Sequence, residues 1–200
     1  LADIEGLKQL TLSGNKLLGK IPNGLYLMDS LRVLNVSSNQ LIDSLPSAIG
    51  SNKEIESIDL ADNIIFGNIP KSMAGLSSLL VLDISENIIS GSIPSELGEV
   101  HLLSELRLDN NLIVGAIPIS LLNHKELRSF RLNNNQLTEP VLLTTLGPKL
   151  NILTVQENLL TFEDLIHVVD SFNTQLGFFR YAPQKTAGER DTFSARLGCP

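Results

Sequence analysis

One phrase, repeated at a fixed interval, leaves this chain little freedom. The stretch from Leu79 to Pro94 reads LLVLDISENIISGSIP, that is L-x-x-L-x-I-x-x-N-x-I-x-G-x-I-P. With the asparagine as ruler, the phrase recurs at Asn15, Asn39, Asn63, Asn87, Asn111, Asn135 and Asn158, in steps of 24, 24, 24, 24, 24 and 23 residues. A degenerate eighth copy follows, with Leu176, Phe179 and Tyr181 in apolar slots and Gln184 in the asparagine slot. A unit this short cannot bury its own apolar face. Stacking on its neighbours does so, and the period predicts a solenoid whose core grows coil by coil.

Within each coil the apolar dyad alternates with polar residues, which is the period of a strand. Leu10/Leu12, Leu34/Val36, Ile58/Leu60, Leu82/Ile84 and Leu106/Leu108 are predicted to point inward. Successive coils then pair as parallel strands, and the ladder asparagines turn inward to serve backbone groups that the turn leaves unpaired. Gly-x-Ile-Pro follows at Gly19–Pro22, Gly67–Pro70, Gly91–Pro94 and Gly115–Pro118, with Asp43–Pro46 as a variant. Proline fixes φ and donates no hydrogen, so it is read at the exit of a short edge strand. Further apolar columns, Leu25/Ile49/Met73/Leu97/Leu121 and Met28/Leu76/Val100, are read as core.

The full phrase L-x-x-L-x-x-L-x-L-x-x-N-x-L-x-G-x-I-P resembles the plant-type subclass of the leucine-rich repeat family, strictly over residues 5–135 and loosely to about 184. The resemblance implies an α/β solenoid. This would be a right-handed leucine-rich repeat superhelix with a concave parallel β-sheet, mostly 24-residue repeats and short convex helical or 3-10 segments. Residues 1–184 form the expected solenoid of about eight repeats, with its N-terminal end truncated and residues 160–184 cap-like; residues 185–200 are a tail or a linker. No polar capping element precedes Leu7 and the chain starts at Leu1 rather than Met, so further repeats are expected upstream. Plant members of this subclass carry paired-cysteine caps at both ends. This chain has the single Cys199, which leaves two readings, removed caps or a non-plant host.

The pattern loosens after Asn135. Phe162, Leu165, Ile166, Val169 and Phe172 follow a helical stripe, Thr161 fits an N-cap with Asp164 three residues on, and a convex helix is predicted over 162–172. The segment FEDL…LGFFRYAPQ is similar to the last repeat of certain bacterial secreted or surface leucine-rich proteins, in which it leads into an immunoglobulin-like domain.

Formal net charge is −7 and the chain has no Lys/Arg run, which argues against a nucleic-acid partner. No apolar stretch approaches the ~20 residues of a membrane span, so no direct membrane insertion is expected. His101, His124 and His167 share no metal-ligand spacing, and His124 falls in the Met28/Leu76/Val100 column as a structural residue. No phosphate loop and no nucleophile–base arrangement is present, and no cofactor, metal or catalysis is expected.

Strand alternation also gives the outward face. Its central column runs Thr11, Asn35, Asp59, Asp83, Arg107, Arg131, Thr154, Arg180, so the face changes sign midway. Asp83, Glu105 and Asp109 surround Arg107 and are expected to hold it by cross-strand pairs, whereas Arg131 has fewer acids nearby. A guanidinium fork suits carboxylate, phosphate or sulfate groups. The candidate ligand-binding set is Asp83, Glu105, Arg107, Asp109, Arg131 and Asn133, with Phe178 and Ile152 as an apolar patch nearby. Asn35-Val36-Ser37 is the one N-glycosylation sequon. The resemblance then implies an extracellular or cell-surface recognition module that binds a protein, peptide or glycan through its concave face. The alternatives are a structural spacer in a multidomain surface protein, or an inhibitor of a secreted enzyme, against which the missing cysteine caps count. Few aromatics in the first five coils weigh against a tight protein partner there.

Overall fold

The alternating dyads form strands of three residues each, and their pairing follows the repeat. In the computed structural model, residues 6–138, 146–161 and 178–180 are described. The first set of strands is β1 (Gln9–Thr11), β3 (Val33–Asn35), β5 (Ser57–Asp59), β7 (Val81–Asp83), β9 (Glu105–Arg107), β11 (Ser129–Arg131), β13 (Ile152–Thr154) and β14 (Phe178–Arg180). They stack in that order into an eight-stranded sheet. Every neighbouring pair is parallel, and the register runs Thr11, Asn35, Asp59, Asp83, Arg107, Arg131, Thr154, Arg180 across the sheet.

The residue ahead of each ladder asparagine takes the left-handed conformation: Gly14 in the first coil, then Ser38, Asp62, Glu86, Asn110, Asn134 and Glu157 at φ between 51° and 57°. This bend throws the asparagine inward. Asn87 Nδ2 donates to the carbonyls of Leu60 (3.0 Å), Ile84 (3.3 Å) and Ser85 (2.8 Å), while its Oδ1 accepts the Ile65 N–H (2.8 Å). Asn39, Asn63, Asn111, Asn135 and Asn158 repeat the arrangement, so one side chain ties together the strand exit of its own coil and the backbone of the coil before.

Past the asparagine the chain forms a second set of strands: β2 (Leu18–Gly19), β4 (Gln40–Ser44), β6 (Ile64–Asn68), β8 (Ile88–Gly91), β10 (Leu112–Gly115) and β12 (Gln136–Leu137). These make a six-stranded parallel sheet. The expectation of a short edge strand is corrected here, since four of the six are paired on both sides. Pairing is offset by 22 residues per coil, as in Ile42 beside Ile64 and Phe66 beside Ile88, and not by the repeat length. The asparagine sets this offset, because its Oδ1 receives the N–H of a residue 22 positions earlier.

Each proline sits beyond its strand and starts the return turn. The carbonyls of Pro22, Pro46, Pro70, Pro94 and Pro118 accept the N–H three residues on. Four 3-10 turns follow, Asn23–Leu27, Ser47–Ser51, Lys71–Gly75 and Ser95–Glu99, and the fifth coil substitutes a single α-helical turn, Ile119–Leu122. The predicted apolar columns are buried, with Ile58, Leu82, Leu106 and Leu76 at 0% exposure. The Met28 column also takes polar members. Asn52 Nδ2 donates to the Met28 and Leu31 carbonyls (2.8 and 2.9 Å), and His124 Nε2 lies 3.0 Å from the Val100 carbonyl while its Nδ1 accepts the Leu127 N–H (3.0 Å). His124 is therefore the structural residue expected, and burial lowers its pKa. The helix predicted over 162–172, most of the cap-like segment 160–184, the tail 185–200, Cys199 and the first five residues lie outside the described residues.

Candidate functional site

On the eight-stranded sheet the outward side chains of successive coils stand in register, about 5 Å apart. The acidic half of the central column is largely part of the scaffold. Asn35 Oδ1 accepts both the Ser37 N–H (3.0 Å) and its hydroxyl (2.8 Å), so the sequon's two polar side chains are joined to each other. Asp59 Oδ1 accepts the Ala61 N–H, and Asp83 Oδ1 accepts the N–H and hydroxyl of Ser85. These bonds hold the turn that leads to the asparagine. Asp83 is only 8% exposed although it points outward. Burial pushes the carboxyls of Asp59 and Asp109 above their ordinary range. Backbone N–H groups oppose the rise, and the Asp83 charge adds to it.

Arg107 is held by two of the three acids expected, one across the strands and one along its own strand. Its Nη1 reaches Asp83 Oδ2 across the strands at 3.3 Å and its Nη2 reaches Glu105 Oε2 at 3.1 Å. Asp109 stands aside and accepts a bond from Asn110 Nδ2 (2.9 Å). One coil on, Arg131 makes no ion pair among the described residues. Asn133 is turned to the next coil, where its Oδ1 accepts the Thr154 hydroxyl (2.9 Å).

Five buried side-chain polar atoms lack a hydrogen-bond partner among the described residues, and four of them fall at this place: Arg107 Nε, Arg131 Nε, Ser129 Oγ and Gln156 Oε1. Register makes them neighbours. Arg131 pairs with Arg107 on one side and with Thr154 on the other; Ser129 is two residues before Arg131 on the same face, and Gln156 two after Thr154. Two N–H donors, a hydroxyl and an amide oxygen thus lie on three neighbouring strands, with Ser129 and Gln156 on opposite sides of Arg131. Buried polar groups without partners are uncommon and costly, so a cluster of them calls for an account. Sequence reading picked out both arginines but missed Ser129 and Gln156, whose only signal is that they stand outward beside Arg131. At the edge of this patch, the Arg180 guanidinium lies 5.3 Å from the centre of the exposed Phe178 ring, and Phe178 pairs with Ile152.

Elsewhere, a half-open groove of about 570 Å³ opens by His101, Leu102, Asn123 and Lys125, away from the concave sheet. Among the described residues no group of three His, Cys, Asp or Glu could hold a metal ion, and no helix is long and apolar enough to cross a membrane.

The Leucine Rich Repeat family model matches residues 6–28, 30–52 and 78–100. No curated protein matches the sequence. Among solved structures, the chain is similar to the Arabidopsis receptor kinase HAESA in complex with the peptide hormone IDA and the co-receptor SERK1, at 30% identity and a TM-score of 0.77 over 94% of this chain and 32% of that one. It is also similar to the plant peptide hormone receptor RGFR1 in complex with RGF2, at 28% identity and a TM-score of 0.74 over 80% of this chain and 26% of that one. The ectodomain of BIR2 from Arabidopsis thaliana shares 33% identity, with a TM-score of 0.55 over 56% of this chain and 59% of that one. This chain spans 26% to 32% of the length of the two hormone-receptor structures.

Proposed function

This chain is a leucine-rich repeat protein of the plant type, and on that premise we propose that it is the ligand-reading part of a receptor-like protein at the cell surface. Its ligand is a peptide carrying a carboxylate, sulfate or phosphate group, laid across coils five to seven of the concave face. Arg131 carries this reading: a guanidinium on the concave sheet that makes no ion pair among the described residues, with only the Asp109 charge acting on it from nearby, beside two further buried polar groups that lack partners among the described residues. The hormone complexes among its structural relatives lend support, because they show this fold taking peptides. Arg107, tied to Asp83 and Glu105, orders the neighbouring wall and keeps that acidic pair from neutralising Arg131. A rigid sheet holds these donors in place before the ligand arrives, so little ordering entropy is lost on binding.

A peptide array probed with the chain and with Arg131→Gln tests the reading. Charge-assisted hydrogen bonds contribute ~1.5–3 kcal/mol, so anionic peptides that bind the parent chain should lose about ten-fold or more in affinity to the variant. Hits indifferent to Arg131→Gln would count against the site, and a folded chain with no hits would count against peptide recognition. A spacer is the second reading, favoured by the charge pairing that occupies Asp83, Glu105 and Arg107 among themselves.

A further inference from the structure

The second sheet carries a face that the repeat does not account for. A parallel sheet with apolar side chains on both faces is ordinarily covered on both. Here the outward positions of β4, β6, β8 and β10 hold Ile42, Ile64, Phe66, Ile88, Leu112 and Val114, each between 40% and 48% exposed. Leu18 on β2 extends the row at 71% exposure. Ile42 pairs with Ile64, Phe66 pairs with Ile88, and Leu112 pairs with Ser90, two residues on from Ile88. Cross-strand and diagonal neighbours on one face stand about 5 to 8 Å apart, so the side chains form one continuous stripe over five coils. The remaining outward positions of these four strands are Gln40, Ser44, Asn68 and Ser90, and none is charged.

We propose that this stripe is a self-association surface, on which two copies of the chain pack second sheet against second sheet about a two-fold axis. Size and the uncharged centre of the row favour a second copy as the occupant. The chain carries a net −7, the outward positions of β4, β6, β8 and β10 are uncharged, and the basic residues beside the row, the exposed Lys16 and Lys20 on either side of Leu18, stand only at its end. A second copy offers the same neutral, aliphatic face. Outward side chains of two facing sheets interdigitate at a spacing of about 10 Å. A two-fold axis through Phe66 lays stripe on stripe, as an isologous contact requires. Side chains of this size present of the order of 150–200 Å² each, so the stripe at its stated exposures offers roughly 600 Å² per copy. That is at the top of the range of apolar patches on monomers. The ~1,200 Å² buried by two copies meets the lower bound of stable interfaces. The concave sheet is a different face of each coil, so the association does not depend on the ligand reading and does not compete with it.

An apolar contact between two chains of like charge has a distinctive salt response. Added salt screens the repulsion between the copies and leaves the contact itself intact, so the dimer tightens as ionic strength rises; an interface built on ion pairs would loosen. Sedimentation velocity on the whole chain, from roughly 10 to roughly 300 µM and at low and high salt, reads this directly. The expected result is a monomer–dimer equilibrium in the micromolar range, stronger in high salt and weakened at least ten-fold in Ile64→Lys/Ile88→Lys. Ile64→Thr/Ile88→Thr keeps the β-branched shape and should weaken the dimer less, which guards against a folding defect in the lysine pair. A chain that stays monomeric throughout the range, or a dimer unchanged in both variants, would overturn the proposal.

Discussion

The polar residues of this solenoid fall into two kinds. One kind is part of the frame, and the ladder asparagines are its clearest members: Asn87 serves three carbonyls and one N–H from two coils. Asp59 belongs to the same frame, since its Oδ1 accepts the Ala61 N–H, but it carries a charge that the frame does not use. Asn35 fills the equivalent place one coil earlier with an uncharged amide. Burial raises the folded-state pKa of Asp59 above its ordinary 3.8. Between those two values the folded chain holds more proton than the unfolded one, so this group's contribution to stability falls as pH rises through that window. Above the window the ionised carboxylate is a standing cost. Asp59→Asn keeps the acceptor and removes the charge. The variant should be more stable than the parent at about pH 7, and the gain should vanish at about pH 2, well below the ordinary 3.8, where Asp59 is protonated in both states. Urea melts of both chains at the two pH values check this; an equal gain at both would mean that the charge was not the cause.

At the scale of the element, the return turns show how closely one coil lies on the next. Gly50 stands in the 3-10 turn Ser47–Ser51, where helix propensity alone would favour alanine. Packing reverses that sign. A Cβ on Gly50 would lie 1.8 Å from the Ser72 carbonyl oxygen, which is backbone of the next turn and has no side-chain freedom with which to yield. Gly50→Ala should therefore destabilise the chain by about 2 kcal/mol or more, read as a fall in urea midpoint at unchanged m-value. Sequence could not have placed this glycine, because the close approach comes from the neighbouring coil. For the same reason it missed the second sheet's 22-residue offset, which arises where the ladder amide meets the backbone of the coil before. What it did show was everything that recurs at the repeat length itself: the concave column in register, the inward dyads and the ladder asparagines. The pairing of Arg107 was visible because Asp83 lies exactly one repeat away and Glu105 two residues away. The unpartnered atoms of Ser129 and Gln156 were not, since absence of a partner is a property of packing and leaves no mark on a pattern.

At the scale of the molecule the described residues form a one-dimensional stack, and its energetics should be local in a way that a globular domain's are not. Each coil touches the coil before and the coil after, through the two sheets, the asparagine ladder and the return turns. Leu82 is 0% exposed in β7, near the middle of the stack, and pairs with Ile58 and Leu106. Truncation to alanine removes buried methyl groups and leaves a cavity that the two sheets cannot fully close, at a cost of about 2–5 kcal/mol. In a globular core that cost would be felt by the whole cooperative unit. Here nearest-neighbour coupling confines it. Amide hydrogen exchange on Leu82→Ala should show faster opening in β5, β7 and β9, with the effect declining toward β1 on one side and β13 on the other. A uniform acceleration across all coils would mean that the described solenoid opens as one unit, and would make the stack a single cooperative body instead of a row of coupled coils.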